Sequence, residues 1–151
     1  MTDDEAMAIA LEEAATAAAA GDVPVGAVVL GADGAILARR CNEREQAGDP
    51  TAHAEVLALR DAAAALGRWR LAGATVVATL EPCPMCAGAL LGARVARLVF
   101  GEADPKAGAC GSLYNLCADP RLNHEVAVVA GLRADACGEV LSGFFASRRL
   151  R

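Results

Sequence analysis

Thr75-Val76-Val77-Ala78-Thr79-Leu80-Glu81-Pro82-Cys83-Pro84-Met85-Cys86-Ala87-Gly88-Ala89-Leu90-Leu91 decides the architecture. Its first six residues form a short, β-branched, largely apolar run of the kind that makes a buried strand. Pro84 fits the first turn of a helix, where its fixed φ is pre-organised and its missing N–H costs no hydrogen bond. The apolar residues through Leu91 continue that helix. Cys83 and Cys86 are three apart at the helix start, so both sulfurs project to one side. The positive end of the helix lowers their pKa and favours thiolates.

The rest of the chain extends this strand-to-helix unit. Residues 3–20 place Met7, Ala10, Leu11 and Ala14 at helical spacing among acidic residues, and Gly21 follows as a stop. Val25–Leu30 and Ile36–Cys41 flank Gly31-Ala32-Asp33-Gly34 and predict an antiparallel hairpin. Asp49-Pro50-Thr51 opens a helix expected from about Ala52 to Leu66, with Thr51 or Asp49 as N-cap and Gly67 at its end. Arg97–Gly101 reads as a strand, Val126–Ala130 as the fifth, and Ala134–Arg148 as a closing amphipathic helix. Between Glu102 and Asn123 the pattern breaks into a long loop with a short apolar piece around Leu113–Leu116, and such loops are often functional. Strands alternating with helices after a hairpin imply an α/β fold whose mixed sheet is covered on both faces.

Composition sets the outer bounds. A chain of 151 residues, 55% hydrophobic and 22% charged, has the length of one folded domain and is too apolar for disorder. It has no apolar run near the roughly 20 residues a membrane span needs. One Trp, one Tyr and three Phe cannot build a platform that stacks several bases. The start Met1-Thr2-Asp3-Asp4-Glu5 has neither a basic segment nor an apolar signal core, so a cytosolic protein is expected, with its six Cys as thiols or metal ligands. Cys41, Cys110, Cys117 and Cys137 match no ligand spacing and read as buried structural thiols.

Ala52-His53-Ala54-Glu55 supplies the remaining chemistry. An imidazole and two thiolates are donors that zinc selects, and three protein ligands leave one coordination position open. Residues two apart in a helix interior point in nearly opposite directions, so His53 and Glu55 can converge only on something beyond the helix end. The first turn after Thr51 puts both there, and two helix N-termini then aim at one metal. Zn2+ with two thiolates is neutral and a bound hydroxide makes it anionic, an excess that positive helix ends offset. Glu55 is not needed as a ligand and is free to carry protons. A structural zinc site would instead need a fourth protein ligand, His124 or another Cys, and would leave Glu55 without a task.

The H-x-E and P-C-x-x-C pattern is the signature of zinc nucleobase deaminases, and the chain resembles the bacterial tRNA adenosine deaminases over nearly its whole length. The segments that carry the resemblance are Asp22-Val23-Pro24-Val25-Gly26-Ala27-Val28, Asp49–Glu55, Leu80–Ala89 and Val99-Phe100-Gly101. Asp104-Pro105-Lys106, Gly111-Ser112-Leu113, Asn123-His124 and Phe144-Phe145 continue it. The resemblance implies a three-layer αβα sandwich with a mixed five-stranded sheet, cytidine deaminase-like, in a single domain over residues 1–151 that acts as a cytoplasmic homodimer. It implies hydrolytic deamination of adenosine to inosine at the wobble position of a tRNA anticodon, typically that of an arginine tRNA, with the anticodon stem-loop as partner. By matching position, His53, Cys83 and Cys86 bind one Zn2+ per subunit and Glu55 is the proton shuttle. Asn42 and the Ala54 backbone contact the flipped adenosine, while Asp104, Lys106, Arg148 and Arg149 are the further substrate-side residues.

Three positions depart from that pattern. Glu43 stands where the family often has a basic residue, Ala107 where a Thr is common, and the sequence ends at Arg151 without a further basic tail. Asp104 before Pro105 also reads as a turn starter, and the arginines near the C-terminus would stabilise the last helix's dipole whatever they bind. Phe144-Phe145 is expected in the core. The alternative functions are a free-base or nucleoside deaminase of the same superfamily, which should close the 102–123 loop over its pocket, and a non-catalytic zinc-stabilised subunit, against which Glu55 speaks.

The formal charge of −5 is unevenly spread. Residues 1–22 hold six acids and no base, which leaves +1 for the remainder. A near-neutral body predicts that shape and the flipped base outweigh phosphate attraction, with a shallow salt dependence of RNA binding.

Overall fold

The computed structural model describes residues 1–149; Arg151, counted above among the basic residues, lies outside them. The elements are α1 (Asp3–Ala19), β1 (Gly26–Leu30), β2 (Ile36–Cys41), α2 (Arg44–Ala47), α3 (Ala54–Leu66), β3 (Thr75–Leu80), α4 (Pro84–Ala93), β4 (Arg97–Glu102), a 3-10 turn (Leu116–Ala118), β5 (Ala127–Ala130) and α5 (Ala134–Arg149). The five strands pair in the order β2-β1-β3-β4-β5. β1 is antiparallel to both β2 and β3, whereas β3, β4 and β5 run parallel. The mixed five-stranded sheet matches the expectation. α2, at one turn, is too short to show a period and was not anticipated.

Alternation along the central strands builds two cores. Val28, Leu30, Val77 and Val99 face α1 and α5, where Met7, Ala10 and Cys137 meet them. Ala27, Val29, Val76 and Leu98 face α3 and α4, against Ala58, Leu59, Ala87 and Leu90. This is a helical layer on each side of the sheet. α1 starts at Thr2, whose hydroxyl accepts the Glu5 N–H at 3.1 Å, and three acids in its first turn complement the helix dipole. Among the described residues no helix is long and apolar enough to cross a membrane.

α1 lies close on β1 because residue 26 is glycine: a methyl group there would overlap the Ala10 carbonyl. Gly26→Ala is therefore expected to destabilise the fold by about 1–3 kcal/mol, the usual cost of overpacking. Thermal unfolding measures it, and an unchanged midpoint would mean that α1 can move outward freely.

The connections decide where chemistry can occur. α3 lies between β2 and β3 in the chain and α4 between β3 and β4, so their N-termini meet at the end of the sheet where β3 and β4 finish. Glu81 extends this edge by donating its N–H to the Glu102 carbonyl at 2.9 Å.

Candidate metal centre and active site

His53 is the N-cap of α3 and Cys83 the N-cap of α4, both in extended backbone conformation and neither with a side-chain capping bond. This corrects the expected start of α3 at Ala52 under a Thr51 or Asp49 cap. Asp49 Oδ1 accepts the Thr51 N–H and hydroxyl, both at 2.8 Å, so the polar groups expected to cap the helix are spent on each other. The helix begins two residues later than expected, at Ala54. His53 thereby leaves the helical path, which resolves how it and Glu55 can serve one site.

His53 Nδ1 lies 3.6 Å from Cys83 Sγ and 3.4 Å from Cys86 Sγ. Zn–N and Zn–S bonds at a tetrahedral angle place such donors about 3.6 Å apart, so the trio fits zinc without rearrangement. Among the described residues these three are the one cluster of potential ligands within 4.8 Å of one another. His124 does not join them, since its Nε2 bonds the Val95 carbonyl at 2.8 Å, near the C-terminal end of α4. No fourth protein ligand is present in that cluster, and one coordination position stays open.

The two thiols share their protons unequally. The hydrogen bond from Cys86, with help from His53, holds Cys83 down to about 4, while the same bond and burial push Cys86 up. The contact with Cys83 raises His53, and burial raises Glu55. Glu55 is only 4% exposed. It lines a cavity of about 170 Å³ together with His53, Ala54, Cys83, Asn42 and Val25. A cavity of about 150 Å³ holds a benzene-sized ring, so this one is on the scale of a single base.

The expected substrate residues fall on and around this cavity. Asn42 lines it, 6% exposed, and its amide bridges two neighbours: Nδ2 donates to the Val23 carbonyl and Oδ1 accepts the Arg44 N–H, each at 3.1 Å. Ala54 lines it through the uncapped start of α3. Asp104 lines it too, and its Oδ1 accepts the N–H groups of Lys106 and Ala107 at 3.0 and 3.1 Å, the turn anticipated from Asp-Pro. Lys106 is exposed on that turn. Arg148 stacks over the Phe144 ring at 4.5 Å and donates to the Gly21 carbonyl, just before the Val23 that lines the cavity, while Arg149 is exposed. The core placement of Phe144-Phe145 is corrected: Phe144 is half-buried and Phe145 is 43% exposed. On an amphipathic helix the second of two adjacent aromatics turns away from the sheet.

Three contributors escaped sequence reasoning. Arg44, on α2, is exposed and lines the cavity one position beyond Glu43, whose charge is taken up by Arg40. Asp22 is fully buried and accepts the N–H groups of Glu45 and Gln46 and the Gln46 side chain, tying α2 to the segment after α1. Glu81 is buried under the 103–112 loop. Burial pushes its carboxyl up, but bonds from Ser112, Asp104 and Cys110 outweigh this and leave it lowered. The partners of both acids lie more than twenty residues away, beyond any local pattern. Cys41, Cys110, Cys117 and Cys137 are buried and free, as expected.

Comparison with known proteins places this geometry. Residues 1–102 match the family model for the cytidine and deoxycytidylate deaminase zinc-binding region. The tRNA-specific adenosine deaminase of Bacillus subtilis is 50% identical over 152 aligned positions, covering 100% of this chain and 92% of that protein. A structure from work on A-to-I editing by tRNA:A34 deaminases at the wobble position of transfer RNA superposes with a TM-score of 0.87 at 42% identity, covering 91% of this chain and 99% of the other. The guanine deaminase of Nitrosomonas europaea superposes at 0.82 with 26% identity, covering 95% and 84%.

Proposed function

The chain belongs to the cytidine and deoxycytidylate deaminase zinc-binding family, and from that premise we propose that it hydrolyses adenosine to inosine at the wobble position of a tRNA anticodon. The observation that carries the substrate class is the exposed, basic rim at the entrance of the cavity. His53 and Cys83 are only half-buried, and Arg44 and Lys106 stand exposed around it. Of the long loop only Asp104 and Ala107 line it, and residues 111–115 are exposed and take no part in its wall. A base that remains part of an RNA needs such an entrance, whereas a free base is better served by an enclosed pocket. The 50% identity to a tRNA-specific adenosine deaminase, against 26% to a guanine deaminase, supports the same choice.

His53, Cys83 and Cys86 hold the metal. When bound there, Zn2+ supplies a Lewis acid that makes water nucleophilic near neutral pH. Glu55 does the proton work. It removes a proton from the water that adds to C6 of the unstacked adenine and delivers it to N1, then takes the proton left on the C6 hydroxyl and passes it to the amino group, which leaves as ammonia. Water and adenosine become inosine and ammonia with no net change at Glu55. Asn42, held by Val23 and Arg44, meets the nucleoside with its remaining amide hydrogen and lone pair. The Ala54 N–H, at the uncapped start of α3, donates to the base. Lys106, Arg44, Arg148 and Arg149 approach the phosphates, and Asp104 shapes the turn that presents Lys106.

The anticodon stem-loop is the recognised part of the tRNA, arginine tRNA among the substrates, and the enzyme works in the cytoplasm as a homodimer. Met85, Leu113, Tyr114 and Leu122 on α4 and the long loop stay exposed and offer apolar surface of the kind self-association buries. Incubation with an anticodon stem-loop bearing a wobble adenosine, in parallel with free adenine, guanine and cytosine, tests the assignment. Inosine in the RNA alone is expected, with a log–log salt dependence of RNA affinity no steeper than about −3, the limit for four phosphate contacts at ~0.7 each. Product from the free bases alone overturns the tRNA reading.

A further inference from the structure

Glu81 precedes the metal-ligand pair by two residues, yet nothing in the chemistry above uses it. Its carboxylate is 2% exposed and accepts four hydrogen bonds, all from the loop after β4. Oε1 takes the Asp104 N–H at 3.0 Å and the Ser112 hydroxyl at 2.5 Å. Oε2 takes the N–H groups of Cys110 and Ser112, each at 3.0 Å. Gly108 is pressed against the same group, so closely that a methyl there would overlap the carboxylate. The segment's other anchors are the Ala109 N–H on the Pro82 carbonyl at 2.9 Å and the buried Ala109 and Cys110 side chains; residues 105–107 and 111–115 are exposed, and apart from one Cys110–Asn115 bridge it forms no strand or helix before Leu116. Asp104 and Ala107 of that segment nevertheless form part of the cavity wall.

We propose that Glu81 is a positioning residue that fixes the Asp104–Ser112 segment as a wall of the RNA-binding cavity, in register with the metal ligands that follow it in the chain. The inference rests on the RNA deaminase reading for its kinetic consequence. A carboxylate is the fitting group because every partner is a donor and both oxygens accept two bonds. An amide in its place would set an NH2 against at least one backbone N–H; with that NH2 on the Oε1 side the Ser112 hydroxyl can turn to accept from it, but the Asp104 N–H loses its bond and is left unpaired. The wall touches the bound nucleotide and its flanks rather than the reacting atoms, so its loss weakens binding more than it slows turnover.

Glu81→Gln, prepared as the zinc-loaded full chain, is expected to raise KM for the stem-loop about tenfold while kcat at saturating RNA stays within about threefold and zinc content is unchanged. Hydrogen exchange without substrate should rise across residues 103–113 and stay at the wild-type level in β3 and α4. Ser112→Ala, which removes one of the four bonds, should give a smaller rise in both KM and loop exchange, and it decides the matter if Glu81→Gln fails to fold. An unchanged KM, a loss confined to kcat, or exchange that rises equally in β3 and α4 overturns the proposal. Because exchange is read without substrate, a wild-type protein that leaves the stem-loop unmodified would sink the RNA reading alone, while an unprotected loop would sink the role of Glu81.

Discussion

Glu55→Gln is expected to keep its zinc and to lose at least about a hundredfold in kcat, within the 10²–10⁴ range that a positioned proton carrier contributes. The reasoning starts from what the substitution spares. Glu55 is not among the three donors that close on one point, so metal content should be that of the wild type. Its side chain is buried in the cavity wall beside His53 and Cys83, and Gln fills the same volume there. What disappears is the capacity to carry the two protons of the attacking water, one to N1 and the other to the leaving amino group. No other carboxylate can substitute readily. Asp104 also lines the cavity but is committed to its own turn, and Glu81 is saturated by the loop. Inosine formation under single-turnover conditions, alongside metal analysis of the same sample, measures the effect. A variant that deaminates RNA at the wild-type rate would remove Glu55 from the mechanism, and one that has lost its zinc would show that the residue also serves the metal.

Cys86→Ser should abolish zinc retention and with it essentially all turnover. Cys86 is fully buried at the first turn of α4, its sulfur 3.4 Å from His53 Nδ1. Serine keeps the shape but replaces a soft thiolate with a hydroxyl that does not ionise near neutrality, leaving two good ligands where three are required. Stability should fall as well, because a ligand that binds only the folded chain stabilises it in proportion to the logarithm of its concentration over its Kd. The same drop in melting temperature should follow extraction of the wild type with a chelator, and added zinc should reverse it in the wild type alone. Metal analysis with scanning calorimetry reads all three. Full activity in a metal-free sample would refute the assignment of these residues to the metal.

Much of this was visible in the order of residues. The run from Thr75 to Leu91 announces a buried strand, a Pro-started helix and two sulfurs on one side, because each of those signals is local. The pairing of His53 with Glu55 could be read as a question about geometry, and the answer lay just outside the helix. The placement of the helix start failed for a physical reason: Thr51 and Asp49 are good capping residues, but a two-residue contact between them competes with capping and wins. Arg44 stayed hidden because four helical residues carry no periodicity. Phe144-Phe145 misled because an aromatic pair suggests burial, whereas one helical face can bury only one of two adjacent side chains.

The sequence by itself determined the elements, the donor types and the acid, since helical period, strand alternation and the chemistry of imidazole, thiol and carboxylate are properties of neighbouring residues. Tertiary structure alone decided their meeting. The β2-β1-β3-β4-β5 order brings the starts of α3 and α4 together across a separation of 30 residues, His53 to Cys83. It also sets Asp22 under α2 and Glu81 under the 103–112 loop. The reason is energetic: a buried carboxylate must find donors wherever the fold supplies them, and which donors come within 3 Å depends on how the whole sheet is wound.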